Sequence, residues 1–429
     1  MTDVGLFMAG AKSRLLPLSV PFRFFAAAAA YHVAAWAVLV LAADDLLSFR
    51  GGPGLVLAAI HLLTLGVLAM TAIGASLQLL PVATRRPVGA VWPCHLVFWL
   101  LAPGVGLLAF GMATLEPLAL GGGGIMAVAA LALYAVLIAG NLRGAKGFRV
   151  VVLYGWLAMG ALAALTALGL LLAADFHHGL LDSHAALTAI HLVLASYGFM
   201  GGLALGFSFI LVPMFALARS SAERSGLASF ALSLAAMVLA VAGLASGLDG
   251  LTALAAATGL AGAGCYLAAM AATLKSGMRK RLGLSFALIR AAWLFLPLSL
   301  VLGLGLVLDL LPEGGATLFG LALLIGWLLT FLLGILQRIA PFLASMHSMA
   351  DGGRAARPSD LTAELPLKIH AACHALAILL LAGGIIGQDV TMMRLGALLG
   401  LIGALAFAVF LATVLIRLAA HVRRVKQIP

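Results

Sequence analysis

Charge is scarce in this chain: Asp, Glu, Lys and Arg make up 9% of its 429 residues. Soluble domains carry about 25%, so a water-exposed globular fold is excluded. Cysteine is nearly absent too. Cys94, Cys265 and Cys373 each lie inside an apolar run, which leaves no CxxC pair and no disulfide framework. No Walker A, GxSxG, HExxH or CxxCH motif occurs, so nothing supports catalysis on soluble phosphorylated substrates. Segments of about ten residues alternating polar and apolar are missing as well, which excludes a membrane barrel. What remains is apolar: 64% of residues are hydrophobic, in runs of about twenty or more that each cross ~30 Å of hydrocarbon as a helix. The 50 glycines suit close helix packing in lipid.

These runs predict an all-α integral membrane protein with twelve spans, near 20–43, 53–80, 88–112, 117–140, 149–174, 184–218, 226–248, 250–274, 282–311, 316–346, 366–387 and 391–416. The first run follows Lys12 and Arg14 and is too long for a cleaved signal, so it is expected to be retained. Of the 25 Lys and Arg, all but Arg50 and Arg394 fall on the side of the N-terminus. Basic loops such as Arg85-Arg86, Arg143/Lys146/Arg149, Lys275/Arg279/Lys280/Arg281 and Arg417/Arg423/Arg424/Lys426 alternate with acidic ones at Asp44-Asp45, Glu116, Asp249 and Asp309/Glu313. The positive-inside rule places both termini in the cytoplasm of a bacterial-type inner membrane. The net charge of +11 follows from this topology, and no nucleic-acid partner is expected.

Internal repetition comes next. GASLQLLP from Gly74, GFSFILVP from Gly206 and GILQRIAP from Gly334 share a G-x6-P ending and close the second, sixth and tenth spans. Four spans separate successive copies, an even number, so the copies share one orientation. Cys94-His95 in the third span matches Cys373-His374 in the eleventh, and Phe22-Arg23 and Phe148-Arg149 open the first and fifth. The expected architecture is one transmembrane domain over 1–429, built from three parallel four-helix units (roughly 15–142, 143–275 and 276–429) around a pseudo-threefold axis.

Ionisable groups inside a bilayer are costly and mark candidate sites. Among the 11 histidines, seven lie within spans or at their ends: His32, His61, His95, His184, His191, His370 and His374. His61 and His191 take matching places before their repeat prolines, in the outer third of the membrane. Two imidazoles at one depth on facing helices suit axial ligation of a haem iron or a shared metal; the plainer alternative is a hydrogen bond from each to a backbone carbonyl. His184 lies two turns before His191 on the same face, next to an outer loop holding His177, His178, Asp175 and Asp182, and is a further metal candidate. His370 and His374 stand at i and i+4, a spacing that suits a pair of metal ligands and equally suits interhelical hydrogen bonding. Met346-His347-Ser348-Met349 offers thioethers for Cu(I). Arg338 and Gln78 share the place three residues before the repeat proline; an Arg there snorkels to the interface or meets a negative group.

The span count, the parallel units and a His opening the Gly-rich second span, AIHLLTLGVLAMTAIGASLQLLPVAT from Ala59, resemble the catalytic subunit of haem-copper oxidases. They are more similar still to the NnrS family, haem- and copper-containing membrane proteins tied to nitric oxide stress. The resemblance implies haem b, with copper as a second metal, held by His61 and by His191 or His184. It implies a redox partner or respiratory complex, and work in electron transfer or in nitric oxide or metal homeostasis. The seventh span has no His, the tenth has none before His347, and Ala195 stands four residues after His191 where the oxidases carry a crosslinked Tyr. A complete oxygen-reducing centre is therefore not expected. The rival readings are a transporter or metal-handling permease using intramembrane His and Arg, and an assembly partner of a respiratory complex.

Overall fold

The computed structural model describes residues 15–219, 223–279, 281–348 and 355–426; Lys12, Arg14, Lys280, Met349 and the side chain of Lys426 lie outside them. Among the described residues twelve helices are long and apolar enough to cross a membrane: α1 (Ser19–Leu41), α2 (Leu55–Ala83), α3 (Trp92–Thr114), α4 (Pro117–Leu142), α5 (Arg149–His178), α6 (His184–Ala216), α7 (Glu223–Ser246), α8 (Asp249–Lys275), α9 (Gly283–Val307), α10 (Gly315–His347), α11 (Glu364–Gly387) and α12 (Val390–Lys426). No strand occurs among the described residues. The expected span ends hold to within a few residues, except that α5 and α12 run on. His177 and His178, expected in the outer loop, form the last turn of α5. At 33 residues each, α6 and α10 reach about 50 Å and overrun the hydrocarbon.

Helix contacts recur every four helices. The hairpins α3/α4, α7/α8 and α11/α12 pack tightly; α1 lies on α2, α5 on α6 and α9 on α10; α4 meets α5, α8 meets α9, and α12 returns to α1. At the centre α10 touches both α2 and α6. The apolar windows of α2, α6 and α10 are 72%, 89% and 72% buried, against 11% to 44% in the other nine helices. A helix hydrophobic all round is stable only where protein or lipid covers every face, and these three are covered by protein.

The same three helices share a further departure from regularity. Each contains a π-helical stretch, at Leu62–Ala69, Leu194–Met200 and Leu321–Leu329. Such stretches are rare and gather at functional sites. Each holds one glycine, Gly66, Gly198 or Gly326, pressed against the preceding helix. A Cβ on Gly66 would fall 2.7 Å from Tyr31, one on Gly198 would fall 2.6 Å from Ala161, and one on Gly326 would overlap Phe295. Eight residues further on, about two turns, Gly74, Gly206 and Gly334 repeat the contact with Phe24, Tyr154 and Ser285, where a Cβ would come within 2.7, 2.7 and 2.9 Å. Small residues at these places let the backbones approach.

Side-chain hydrogen bonds repeat as well. Ser76 of α2 shares a 2.8 Å bond with the Tyr134 hydroxyl of α4, and the Tyr266 hydroxyl of α8 donates to Ser208 of α6 over 2.8 Å. The corresponding positions of α10 and α12 hold Leu336 and Phe407. There the polar bond is replaced by a histidine cluster packed on the Phe407 ring. On the acidic side of the chain the two exceptional cations are both neutralised: Arg394 pairs with Asp44 at 2.5 Å and Arg50 with Glu313 at 3.7 Å.

Candidate functional site

His61 ends the α-helical part of α2, one residue before the π stretch begins. Its Nδ1 lies 3.0 Å from the Leu57 carbonyl one turn back. A carbonyl only accepts, so Nδ1 carries the proton and Nε2 keeps its lone pair. That is the tautomer a metal-ligating imidazole needs, with its orientation fixed by the other nitrogen. His191 stands three residues before the π stretch of α6. Its ring packs over Gly169 of α5, where a Cβ would come within 3.2 Å of the imidazole Cε1. Its Nδ1 is buried and has no partner. Each of the two residues expected to share a site thus stands just ahead of a π stretch on a central helix.

Between α2, α6 and α10, further along from these histidines, lies a cavity of about 60 Å³. Its walls run from Thr71 and Met200 to Ile339, and Thr71 supplies the sole polar side chain. The Thr71 hydroxyl is itself buried without a partner. Liquid water occupies about 30 Å³ per molecule, so this space suits a few small uncharged molecules. Neither His61 nor His191 lines it, and it does not hold a macrocycle. The imidazole donors thus fit metal ligation, whereas the described cavity does not fit a haem.

His184 packs on Phe176, and its Nδ1 meets the Asp175 carboxylate at 2.5 Å. The other Asp175 oxygen accepts the Leu181 backbone N–H at 2.7 Å. Asp175 therefore orients the ring and leaves Nε2 outward, in the arrangement in which carboxylates support ligating histidines. His184 and His191 share a face of α6, both against α5.

A second cluster joins α1, α10, α11 and α12, and sequence spacing does not reveal it. His370 and His374 stack one turn apart on α11, with ring centroids 5.5 Å apart, and His32 of α1 stands 6.2 Å from His370. All three are 2% exposed or less. The Trp36 indole donates to His32 Nε2 at 3.0 Å, so neutral His32 keeps its proton on Nδ1. His370 Nδ1 donates to the Gly403 carbonyl at 3.0 Å, so its lone pair sits on Nε2. Both remaining nitrogens, His32 Nδ1 and His370 Nε2, are buried without a partner. A donor lacking an acceptor and an acceptor lacking a donor thus lie in neighbouring rings. The Thr330 hydroxyl donates to the Ile325 carbonyl at 2.8 Å and so accepts from His374 Nε2 at 2.7 Å.

Two of the remaining candidates, Arg338 and His347, are engaged structurally. Arg338 donates to Ser285 Oγ at 2.7 Å and to the Leu282 carbonyl, which ties α10 to the start of α9. Both ring nitrogens of His347 face backbone carbonyls, those of Leu343 and Leu16. Gln78 is fully buried and neither atom of its amide has a partner. His95 of α3 likewise has an unpartnered buried Nδ1. Among the described residues no three His, Cys, Asp or Glu side chains are grouped to hold a metal ion. No protein-family model and no curated protein matches this chain.

Proposed function

We propose that this chain is a metal-binding membrane protein of the haem-copper oxidase/NnrS-like group, in which His61 and His191 supply imidazole ligands. The observation that carries this is their placement: each stands just before the π stretch of a central helix. His61 holds its free lone pair on Nε2, and His184, braced by Asp175, is the outer ligand candidate. Copper suits imidazole donors directly. Haem b would need more room than the 60 Å³ cavity between α2, α6 and α10 provides. The work proposed is electron transfer, or nitric oxide or metal homeostasis, with a redox partner and without a complete oxygen-reducing centre. An apolar cavity of about 60 Å³ accords with a small uncharged ligand.

The architecture that goes with this reading is three parallel four-helix units about a pseudo-threefold axis, both termini cytoplasmic, in a bacterial-type inner membrane. The four-helix period of the contacts, the three π stretches and the paired Tyr–Ser bonds support it, as does the one-sided distribution of Lys and Arg.

The test is spectroscopic and elemental. Protein purified in mild detergent is assayed for a Soret band, a pyridine haemochrome and bound copper. The expected result is one centre per chain, lost in His61→Ala and kept in His95→Ala. A correctly folded protein that holds neither haem nor copper after reconstitution with each would overturn the proposal and favour a permease, with His370 and His374 as the next residues to vary.

A further inference from the structure

Arg290 is anomalous. It lies seven residues into α9 from Gly283, about 10 Å along the helix, and its side chain is exposed on the lipid-facing surface. Among the described residues it makes no hydrogen bond and no ion pair. An unpaired cation within a span is costly and marks a function by default. Arg290 lines a groove of about 520 Å³ between α8 and α9, and the other cation in that groove is Lys275, the last residue of α8. Lys275 is exposed and unpaired as well. The floor and walls are apolar: Leu267 and Leu274 from α8, and Trp293 and Leu294 from α9. Trp293 is held in place by donating to the Tyr266 hydroxyl at 2.9 Å. The loop that follows Lys275 adds Arg279, Lys280 and Arg281 and contains no acidic residue.

We propose that this groove is a binding site for an anionic phospholipid, its phosphodiester headgroup between Lys275 and Arg290 and an acyl chain along the Leu267–Leu294 cleft. Two observations fix the occupant. Two unpaired cations with no acid in the groove call for a negative partner, and the apolar cleft running from them into the span calls for a chain attached to it. Basic pockets between helices at this end of a membrane protein take phosphate headgroups, and the guanidinium supplies a planar fork that matches phosphate oxygens. A free phosphate ion would satisfy the cations and leave the cleft bare.

The experiment is native mass spectrometry of the full chain in detergent, titrated with phosphatidylglycerol, with phosphatidylcholine, or with inorganic phosphate. The expected result is one saturable phosphatidylglycerol adduct, favoured over phosphatidylcholine by at least ten-fold and not displaced by millimolar phosphate. Arg290→Gln and Lys275→Gln should each weaken it roughly five-fold, the value of one cation near a membrane surface. Arg290→Lys should keep most of the affinity, and Arg224→Gln, at the start of α7, should change nothing. If the Gln variants lower thermal stability, Arg290→Met keeps a lipid-compatible surface and still removes the charge. Equal uptake of both lipids, displacement by phosphate, or an unchanged adduct in the double Gln variant would overturn the proposal.

Discussion

The bond between Thr330 and His374 offers a quantitative test of the inner histidine cluster. Thr330→Val keeps the shape and deletes the hydroxyl, so the His374 Nε2–H loses its partner, while the Ile325 carbonyl keeps the Thr330 backbone N–H. In water-soluble cores an orphaned polar group costs about 1–3 kcal/mol. Interhelical bonds in membranes average only about 0.6 kcal/mol, because separated helices in lipid find other partners. Here the ring is 2% exposed and walled by stacked histidines, so no replacement acceptor is at hand, and about 2 kcal/mol is expected for Thr330→Val. His374→Leu leaves the Thr330–Ile325 bond intact, and adding Thr330→Val to it should then cost about 1 kcal/mol less than it does alone. The assay is a double-mutant cycle on unfolding by SDS in mixed micelles. A coupling below about 0.3 kcal/mol, the scatter of independent sites, would refute the bond and with it the proton assignment on His374.

Other outcomes follow from the packing and the charge distribution. Gly123→Ala places a methyl group on the Leu108 backbone, whereas Gly121→Ala meets nothing within 4 Å. The first should therefore lose about 1–3 kcal/mol and the second gain up to about 1 kcal/mol, read by the same unfolding assay. Reporter fusions at Arg85 and Arg281 should behave as cytoplasmic, and those at Asp45 and Asp309 as periplasmic; opposite sides for Asp45 and Asp309 would break the proposed unit map. Asp175→Asn removes the carboxylate that orients His184 and should weaken any copper bound near the outer end of α6 by about 10–100-fold, measured by competition with a chelator.

The spans were legible because hydrophobic run length is a local property that any fold in lipid must respect. The G-x6-P endings likewise marked the three helices that prove to be central. The π stretches were not legible, since an extra residue per turn leaves no trace in composition. Gly66, Gly198 and Gly326 did leave one, each eight residues before its repeat glycine, and a longer motif would have included them. The matched positions of His61 and His191 were legible, and the structure sets each just ahead of a π stretch. His32 could not be joined to His370 and His374, because their proximity depends on α12 folding back to α1, a contact between distant parts of the chain. The i, i+4 spacing of His370 and His374 suggested metal ligands as readily as the Gly403 and Thr330 partners they have. Spacing along one helix says nothing about what the neighbouring helix presents.

The return of α12 to α1 also sets an order of events during synthesis. α1 emerges from the ribosome first, carrying His32 and Trp36 on a face that Phe407 and Gly400 of α12 later cover. Until the last hairpin is inserted, that face meets lipid, and Asp44 awaits Arg394, 350 residues further on. The polar face of α1 therefore stays incomplete until α12 has been made. Chains cut short before α11 would carry the polar edge of α1 into the bilayer, the kind of exposed seam that membrane quality-control proteases recognise.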